Sequence, residues 1–374
     1  MSAKNPSRTL PPVQGYAVRK PAGSLSDPHV VLERLPLGTT DYLRVLGAVL
    51  RLHNHDHATL YKNVSLKTML DRQRFLARFF TELRKQTRFA AADPRRLGER
   101  HVKAMVERWL QRDLSTATIH NYLSFLRTYC SWTGRPGLVR EVEHYVGADS
   151  PHARRCQVAT TDHSWSARDV DFEATLAKVV GMDSWVGLQL ELCLHFGMRP
   201  KEARHFRPHR AVLPREAANL ADAAAFPEHE TFVRIAYGTK GGRPRDVPLV
   251  NDAQRELLGR VTAAVAAGGF VGRPGLSADQ SRRRFYYVLE CCGVTRSQLG
   301  VVAHGLRHQH ANDTFELDAG EPSPVRGGTA PAASDAQARE RVARRLGHNR
   351  CGVTRAYLGP SPVASASREG GDGF

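Results

Sequence analysis

The 374-residue chain contains no stretch of about 18 uninterrupted apolar residues, so no membrane-spanning helix is expected. The residues after Met1 form no apolar run of signal-peptide length, which gives no support for secretion. Its six cysteines, Cys130, Cys156, Cys193, Cys291, Cys292 and Cys351, make no Cys-x-x-Cys pair and no regular framework. That scatter argues against a disulfide scaffold and for reduced thiols in a cytoplasmic compartment. A Gly-x-x-x-x-Gly-Lys-Ser/Thr loop is missing, and so is a carboxylate cluster suited to two metal ions. Acidic residues are scarce as well: 37 Asp+Glu stand against 54 Lys+Arg, a formal net charge of +17. An excess of this size points to a polyanionic partner, because each Lys or Arg set against a phosphate releases condensed counterions.

What is present is the composition of a globular protein, 41% hydrophobic and 24% charged, long enough for two or three domains. Residues 1–38 are rich in Pro, Gly, Ser and basic residues and read as a flexible basic arm, with Lys4, Arg8, Arg19 and Lys20 available to a phosphate backbone. From 39 to 147 the pattern turns helical. Leu43, Leu46, Val49 and Leu50 fit one apolar stripe, and Phe75, Leu76, Phe79, Phe80 and Leu83 a second. Val102, Met105, Val106, Trp109 and Leu110 follow Asp93-Pro94 as a third, and Ile119 to Cys130 a fourth, opened by a Ser115-Thr116 cap. Four such helices predict a small all-α bundle. Its polar faces carry Arg72, Arg74, Arg78, Arg84, Lys85, Arg88, Lys103, Arg108 and Arg127, enough charge of one sign for a phosphate-contacting surface. The tract His53-Asn54-His55-Asp56-His57 looks like a metal site, but ligands this close, with no partner cluster, do not build one, and no metal is expected.

Residues 148–165 have the composition of a linker. A second, mixed domain is expected over 166–360, with 361–374 as a flexible Ser/Gly tail. Trp185 to Met198 is apolar nearly all round, as a buried helix would be, and stops at Gly197-Met198-Arg199-Pro200. Val233, Ile235 and Tyr237 alternate, as do Val247 and Leu249 beyond Gly238-Thr239-Lys240-Gly241-Gly242-Arg243-Pro244. This is a β-hairpin with Lys240 near its Gly-rich tip. His304 and Arg307 sit one turn apart on a predicted helix. Pro, Gly and Ser then fill 317–333, an inserted loop, before a helix resumes over 339–346. The fold class is mainly α with a small β-sheet (α+β).

The chain's most informative stretch runs from Leu346 to Tyr357. On one unbroken helix, nine residues at ~100° each would set His348 and Tyr357 on opposite faces, ~13.5 Å apart along the axis. They share a site only if the chain turns between them, and Gly352 in a left-handed conformation is the expected turning point.

Five stretches, in order, resemble the tyrosine recombinase (phage integrase) family: Gly197-Met198-Arg199-Pro200-Lys201-Glu202, Gly238-Thr239-Lys240, His304-Gly305-Leu306-Arg307-His308, Leu346-Gly347-His348 and Thr354-Arg355-Ala356-Tyr357. The match covers roughly the last 200 residues; the helical first half is similar to the family's core DNA-binding domain in architecture only. The resemblance implies a clamp on duplex DNA. Its catalytic set would be Arg199, Lys240, His304, Arg307, His348 and Tyr357, with no cofactor, metal or ATP. Tyr357 would be the nucleophile, Arg199 and Arg307 would hold the phosphate, Lys240 would protonate the 5′ leaving oxygen, and the two histidines would share the remaining proton handling. Glu202 and His308 would stand behind that set, and Arg127, Arg243 and Arg245 would touch DNA. The implied function is a site-specific recombinase, an integrase of a mobile element, acting on double-stranded DNA sites as a tetramer near the bacterial nucleoid, with accessory DNA-bending proteins as further partners. The gap from Arg307 to His348 exceeds the family's usual spacing by about the length of the Pro/Gly-rich insertion. The alternatives are a type IB topoisomerase, which uses much the same residues without exchanging partners, and a catalytically silent DNA-binding protein.

Overall fold

The computed structural model describes residues 27–56, 63–348 and 350–362. Lys4, Arg8, Arg19 and Lys20 of the expected arm, His57, and the tail from 363 onward lie outside the described residues. The chain divides into two compact units between Arg155 and Cys156.

The first unit contains α1 (Pro28–Arg34), α2 (Tyr42–His53), α3 (Leu66–Gln86), α4 (Glu99–Gln111), α5 (Thr116–Trp132) and α6 (Val142–Val146). Helices α2 to α5 are the four amphipathic helices that the apolar stripes predict. Ser65 and Ser115 cap α3 and α5 by accepting from the backbone N–H groups of Thr68 and Thr118. Leu76, Phe80, Met105, Trp109, Leu126 and Tyr129 are among the residues that fill the core, each buried side chain stabilising the bundle by about 1.5–3 kcal/mol. Helix α1 falls inside the stretch expected to be an arm. Its period is too short to show in sequence, and a distant residue secures it: Arg95 donates to the carbonyls of Leu32 (2.7 Å) and Leu35 (2.9 Å).

Several of the expected surface cations are occupied within this unit. Arg72 is buried, donates to the Asp56 carbonyl at 3.1 Å and lies over the Trp132 ring. Arg84 and Arg108 donate to the carbonyls of Ala92 (2.9 Å) and Gln86 (3.2 Å). Arg127 donates to the carbonyls of Arg140 (2.7 Å) and Val139 (3.3 Å) and pairs with Glu141 at 3.1 Å. The guanidinium, expected at the DNA, ties α5 to the following loop and stays partly exposed. Arg74, Lys85, Arg88 and Lys103 remain exposed.

The second unit begins with α7 (Phe172–Met182), α8 (Ser184–His195) and α9 (Pro200–Arg204), then β1 (Val212–Pro214), α10 (Leu220–Ala225), β2 (Thr231–Ile235) and β3 (Arg245–Pro248). Five helices follow: α11 (Asp252–Ala264), α12 (Ala278–Cys291), α13 (His304–Ala319), α14 (Ala332–Leu346) and α15 (Arg355–Leu358). The strands form one antiparallel sheet in the order β1-β2-β3, with Val233 opposite Val247 and Ile235 opposite Arg245. The expected hairpin is β2–β3; β1, three residues long, is too short to announce itself by alternation. Helix α8 runs through the core, as its all-round apolar sequence requires.

Two expectations of irregular chain are corrected here. Ser164 and Trp165, assigned to a linker over 148–165, are buried in this unit, and the Trp165 indole N–H donates to the Val302 carbonyl at 3.0 Å. The insertion is shorter than 317–333, because α13 continues to Ala319 and α14 starts at Ala332. The loop proper is 320–331.

Candidate active site

Glu202 is the centre of the site's electrostatics. Its carboxylate is fully buried on α9 and faces three guanidiniums: Arg199 (Nη1 to Oε1, 2.7 Å), Arg245 (Nη2 to Oε2, 2.8 Å) and Arg307 (Nη1 to Oε2, 3.7 Å). Pro200 opens α9, and Arg199 is its N-cap, with a backbone N–H that also donates to Glu202 Oε2 at 2.8 Å. Burial alone would raise the Glu202 carboxyl; the charges of Arg245, Arg307 and Arg199 outweigh it and bring it down to about 2. Arg307, on α13, is fully buried, and its forked donors go to the carbonyls of Gly197 and Leu346 (Nη2, 2.6 Å). Burial lowers its pKa to about 10, so it remains a cation at neutral pH.

Helix α14 delivers the last two motif residues. It stops at Gly347, which is left-handed at φ +66°, and the next N–H, of His348, returns to the Ala343 carbonyl at 2.8 Å in a Schellman closure. Helix α14 therefore ends at Gly347, one residue before His348. Gly352, expected as the left-handed turning point between His348 and Tyr357, lies within a 3-10 turn over Cys351–Thr354 and is not left-handed. At Gly347 the close approach of another chain segment adds to the conformational demand: a Cβ there would lie 2.8 Å from Arg245 Cδ. Beyond His348, the 3-10 turn over Cys351–Thr354 and α15 bring Tyr357 back to it, with ring centroids 5.5 Å apart. The Tyr357 hydroxyl accepts from Arg307 Nε at 3.4 Å, and the ring packs 4.5 Å from His308 and 6.2 Å from His304.

The histidines are neutral. Burial, followed by the charges of Arg307 and Arg199, pushes His348 down to about 3 and His304 to about 4. Burial and then His304 push His308 to about 3. Arg307 Nη2 and Arg199 Nη2 approach His348 Nε2 at 3.4 and 3.5 Å. A guanidinium only donates, so Nε2 is the acceptor and the imidazole proton sits on Nδ1. The result is a phenol hydroxyl, neutral imidazoles able to take a proton, and clustered guanidiniums able to hold an anion by paired hydrogen bonds.

Five of the six expected catalytic residues meet within this cluster: Arg199, His304, Arg307, His348 and Tyr357. The sixth, Lys240, lies exposed on the hairpin tip, in a 3-10 turn over Lys240–Gly242, and its charge contributes to the lowered pKa of His348. Arg243 is exposed on the same tip. Arg245 is corrected. Expected at the DNA, it is 3% exposed, and besides Glu202 it donates through Nε to the Arg345 carbonyl at 2.8 Å. Its position opposite Ile235 on the inner side of the hairpin could only be read from the register. Sequence reasoning missed Asn312, fully buried beneath α15, and Asp162, which accepts from Arg326 at 2.9 Å. Neither carries a motif.

The fold has known counterparts. The XerH site-specific recombinase bound to a palindromic difH substrate superposes with a TM-score of 0.50 at 15% identity, over 90% of this chain and 97% of that one. The Tn1549 transposon integrase in complex with transposon right end DNA gives 0.50 at 15% identity, over 86% and 98%. A lambda integrase dimer bound to a COC′ core site gives 0.48 at 12% identity, over 85% and 93%. No curated protein matches the sequence. The architecture is that of the tyrosine recombinases. Two family models match in series, "Phage integrase, N-terminal" over residues 55–139 and "Integrase" over residues 155–313, and the chain belongs to this integrase family.

Proposed function

We propose that the protein is a site-specific DNA recombinase that integrates or excises a mobile element through a covalent 3′-phosphotyrosyl intermediate. The observation that carries this reading is the Tyr357 hydroxyl 3.4 Å from Arg307 Nε, with His348 and Arg199 beside it. Tyr357 Oη attacks the scissile phosphorus and the P–O5′ bond breaks. The phenolic proton passes to a neutral imidazole, His304 or His348, and Lys240 gives a proton to the departing 5′ oxygen. Arg199 and Arg307 hold the non-bridging oxygens, where negative charge concentrates in the transition state. Because the phosphotyrosyl bond keeps the energy of the phosphodiester, a 5′ hydroxyl on a second strand reverses the step without ATP. Double-stranded recombination sites are the substrate, the net charge of +17 supplies the attraction, and assembly to a tetramer on DNA with bending partners completes the proposal.

A nicked duplex carrying the element's junction, incubated in EDTA, tests it. The wild type is expected to give a denaturant-resistant protein–DNA adduct that disappears in Tyr357→Phe. A metal requirement, or an adduct that survives this substitution, would overturn the mechanism.

A further inference from the structure

The loop 320–331 meets the end of α15 directly at Gly359 and through Asn312, and α14 holds the same segment from the other side. Ser323, fully buried, donates its hydroxyl to Asn312 Oδ1. Asn312 in turn donates through Nδ2 to the His308 carbonyl at 2.9 Å and reaches the Tyr357 carbonyl at 3.5 Å. Two residues beyond Tyr357, Gly359 has φ +84°, and a Cβ there would lie 2.9 Å from the Val325 backbone nitrogen. The loop tip and the end of α15 therefore pack backbone against backbone. On the other side, Arg339, paired with Asp335 at 2.7 Å, donates to the carbonyls of Gly359 (3.2 Å) and Pro360 (2.7 Å).

The loop itself has a built shape. Gly327 is left-handed at φ +89°, and a Cβ at Gly328 would fall 1.7 Å from the Pro322 carbonyl oxygen, so the turn needs glycine at both positions. Arg326 anchors it, with Asp162 at 2.9 Å, Asp313 at 2.8 Å and the Ser164 hydroxyl at 3.2 Å. A four-residue helix such as α15 is too short to hold itself. Its placement must come from such contacts.

We infer that the loop 320–331 is a positioning element for the nucleophile, which holds Tyr357 in the active site of its own chain. This rests on the reading of Tyr357 as the attacking group. Arg326 acts by fixing the loop, and Ser323 by fixing Asn312 under the tyrosine; neither touches the reacting atoms. Misplacing an attacking atom by about 1 Å costs on the order of 100-fold in rate.

The test measures the first-order rate of covalent adduct formation at saturating nicked DNA, alongside DNA affinity, for Arg326→Ala, Arg326→Lys and Ser323→Ala in the full chain. The Ala variants are expected to lose about 10- to 100-fold in rate with affinity within about twofold of wild type. Arg326→Lys, which keeps a cation for Asp162 and Asp313, is expected to recover most of the loss. Ser323→Ala removes only one oxygen and stands in if Arg326→Ala does not fold. Rates within twofold of wild type in folded Ala variants, or an equal fall in rate and affinity, would overturn the inference. No adduct from the wild type would instead remove the reading on which it rests.

Discussion

Replacing Glu202 by Gln separates two quantities that usually move together. The carboxylate is fully buried and is the anion facing Arg199, Arg245 and Arg307. Three guanidiniums against one carboxylate leave two positive charges; with Gln all three are uncompensated. Removing one partner of a buried ion pair costs about 3–5 kcal/mol, because the remaining charges stay desolvated. In a unit of this size, about 2–4 °C per kcal/mol puts the expected fall in unfolding temperature at about 6–20 °C. An added anion should reverse part of it. Sulfate, at matched ionic strength, is expected to raise the unfolding temperature of Glu202→Gln more than that of the wild type, since it replaces the missing negative charge. Thermal unfolding followed by circular dichroism, in chloride and in sulfate, reads both effects. A variant as stable as wild type, or one to which sulfate gives no greater gain, would refute the assignment of Glu202 as the counter-charge of the site.

Three more outcomes follow from the same geometry. Gly347→Ala places a Cβ on a left-handed residue and 2.8 Å from Arg245 Cδ; it should destabilise the unit by at least about 1 kcal/mol and abolish adduct formation, and wild-type rates in a folded variant would contradict the turn. Lys240→Ala, at an exposed tip, should leave stability within about 0.5 kcal/mol while slowing strand cleavage by about 10²–10⁴; an unchanged rate on a substrate with an ordinary 5′ oxygen would remove it as the acid. His304, His308 and His348 have folded pKa values of about 4, 3 and 3, below the usual 6.5. The unfolded chain therefore binds protons that the folded one does not as the pH falls below 6.5, and each histidine should cost about 1.4 kcal/mol per pH unit down to its folded pKa. Stability that is flat between pH 6.5 and 4.5 would argue against neutral buried imidazoles.

Periodicity made α2 to α5 legible in the sequence, and the motifs made Arg199, Arg307, His348 and Tyr357 legible as a set to be brought together. What could not be read was the choice between equivalent residues. Gly347 and Gly352 flank His348 on either side, and only the Schellman closure onto Ala343 shows that the left-handed one is Gly347. Arg243 and Arg245 flank one hairpin two residues apart; one is exposed, while the other is buried against Glu202. Trp165 lay hidden in a stretch of linker composition because its partner, the Val302 carbonyl, is 137 residues away. Long-range partners of this kind leave no local pattern.

The end of α14 bears on how this chain can change length. The carbonyls of Arg345 and Leu346 accept from Arg245 and Arg307, so the helix terminus that presents His348 also holds two of the site's cations. One residue inserted within α14 would turn that terminus by about 100° and advance it by about 1.5 Å, taking both carbonyls away from their donors. A residue added at the exposed Glu321 in the loop before it would leave the helix where it is. The site therefore tolerates an extra residue at Glu321, ahead of the anchored turn that follows it, and almost none within α14, and insertion libraries should show that contrast.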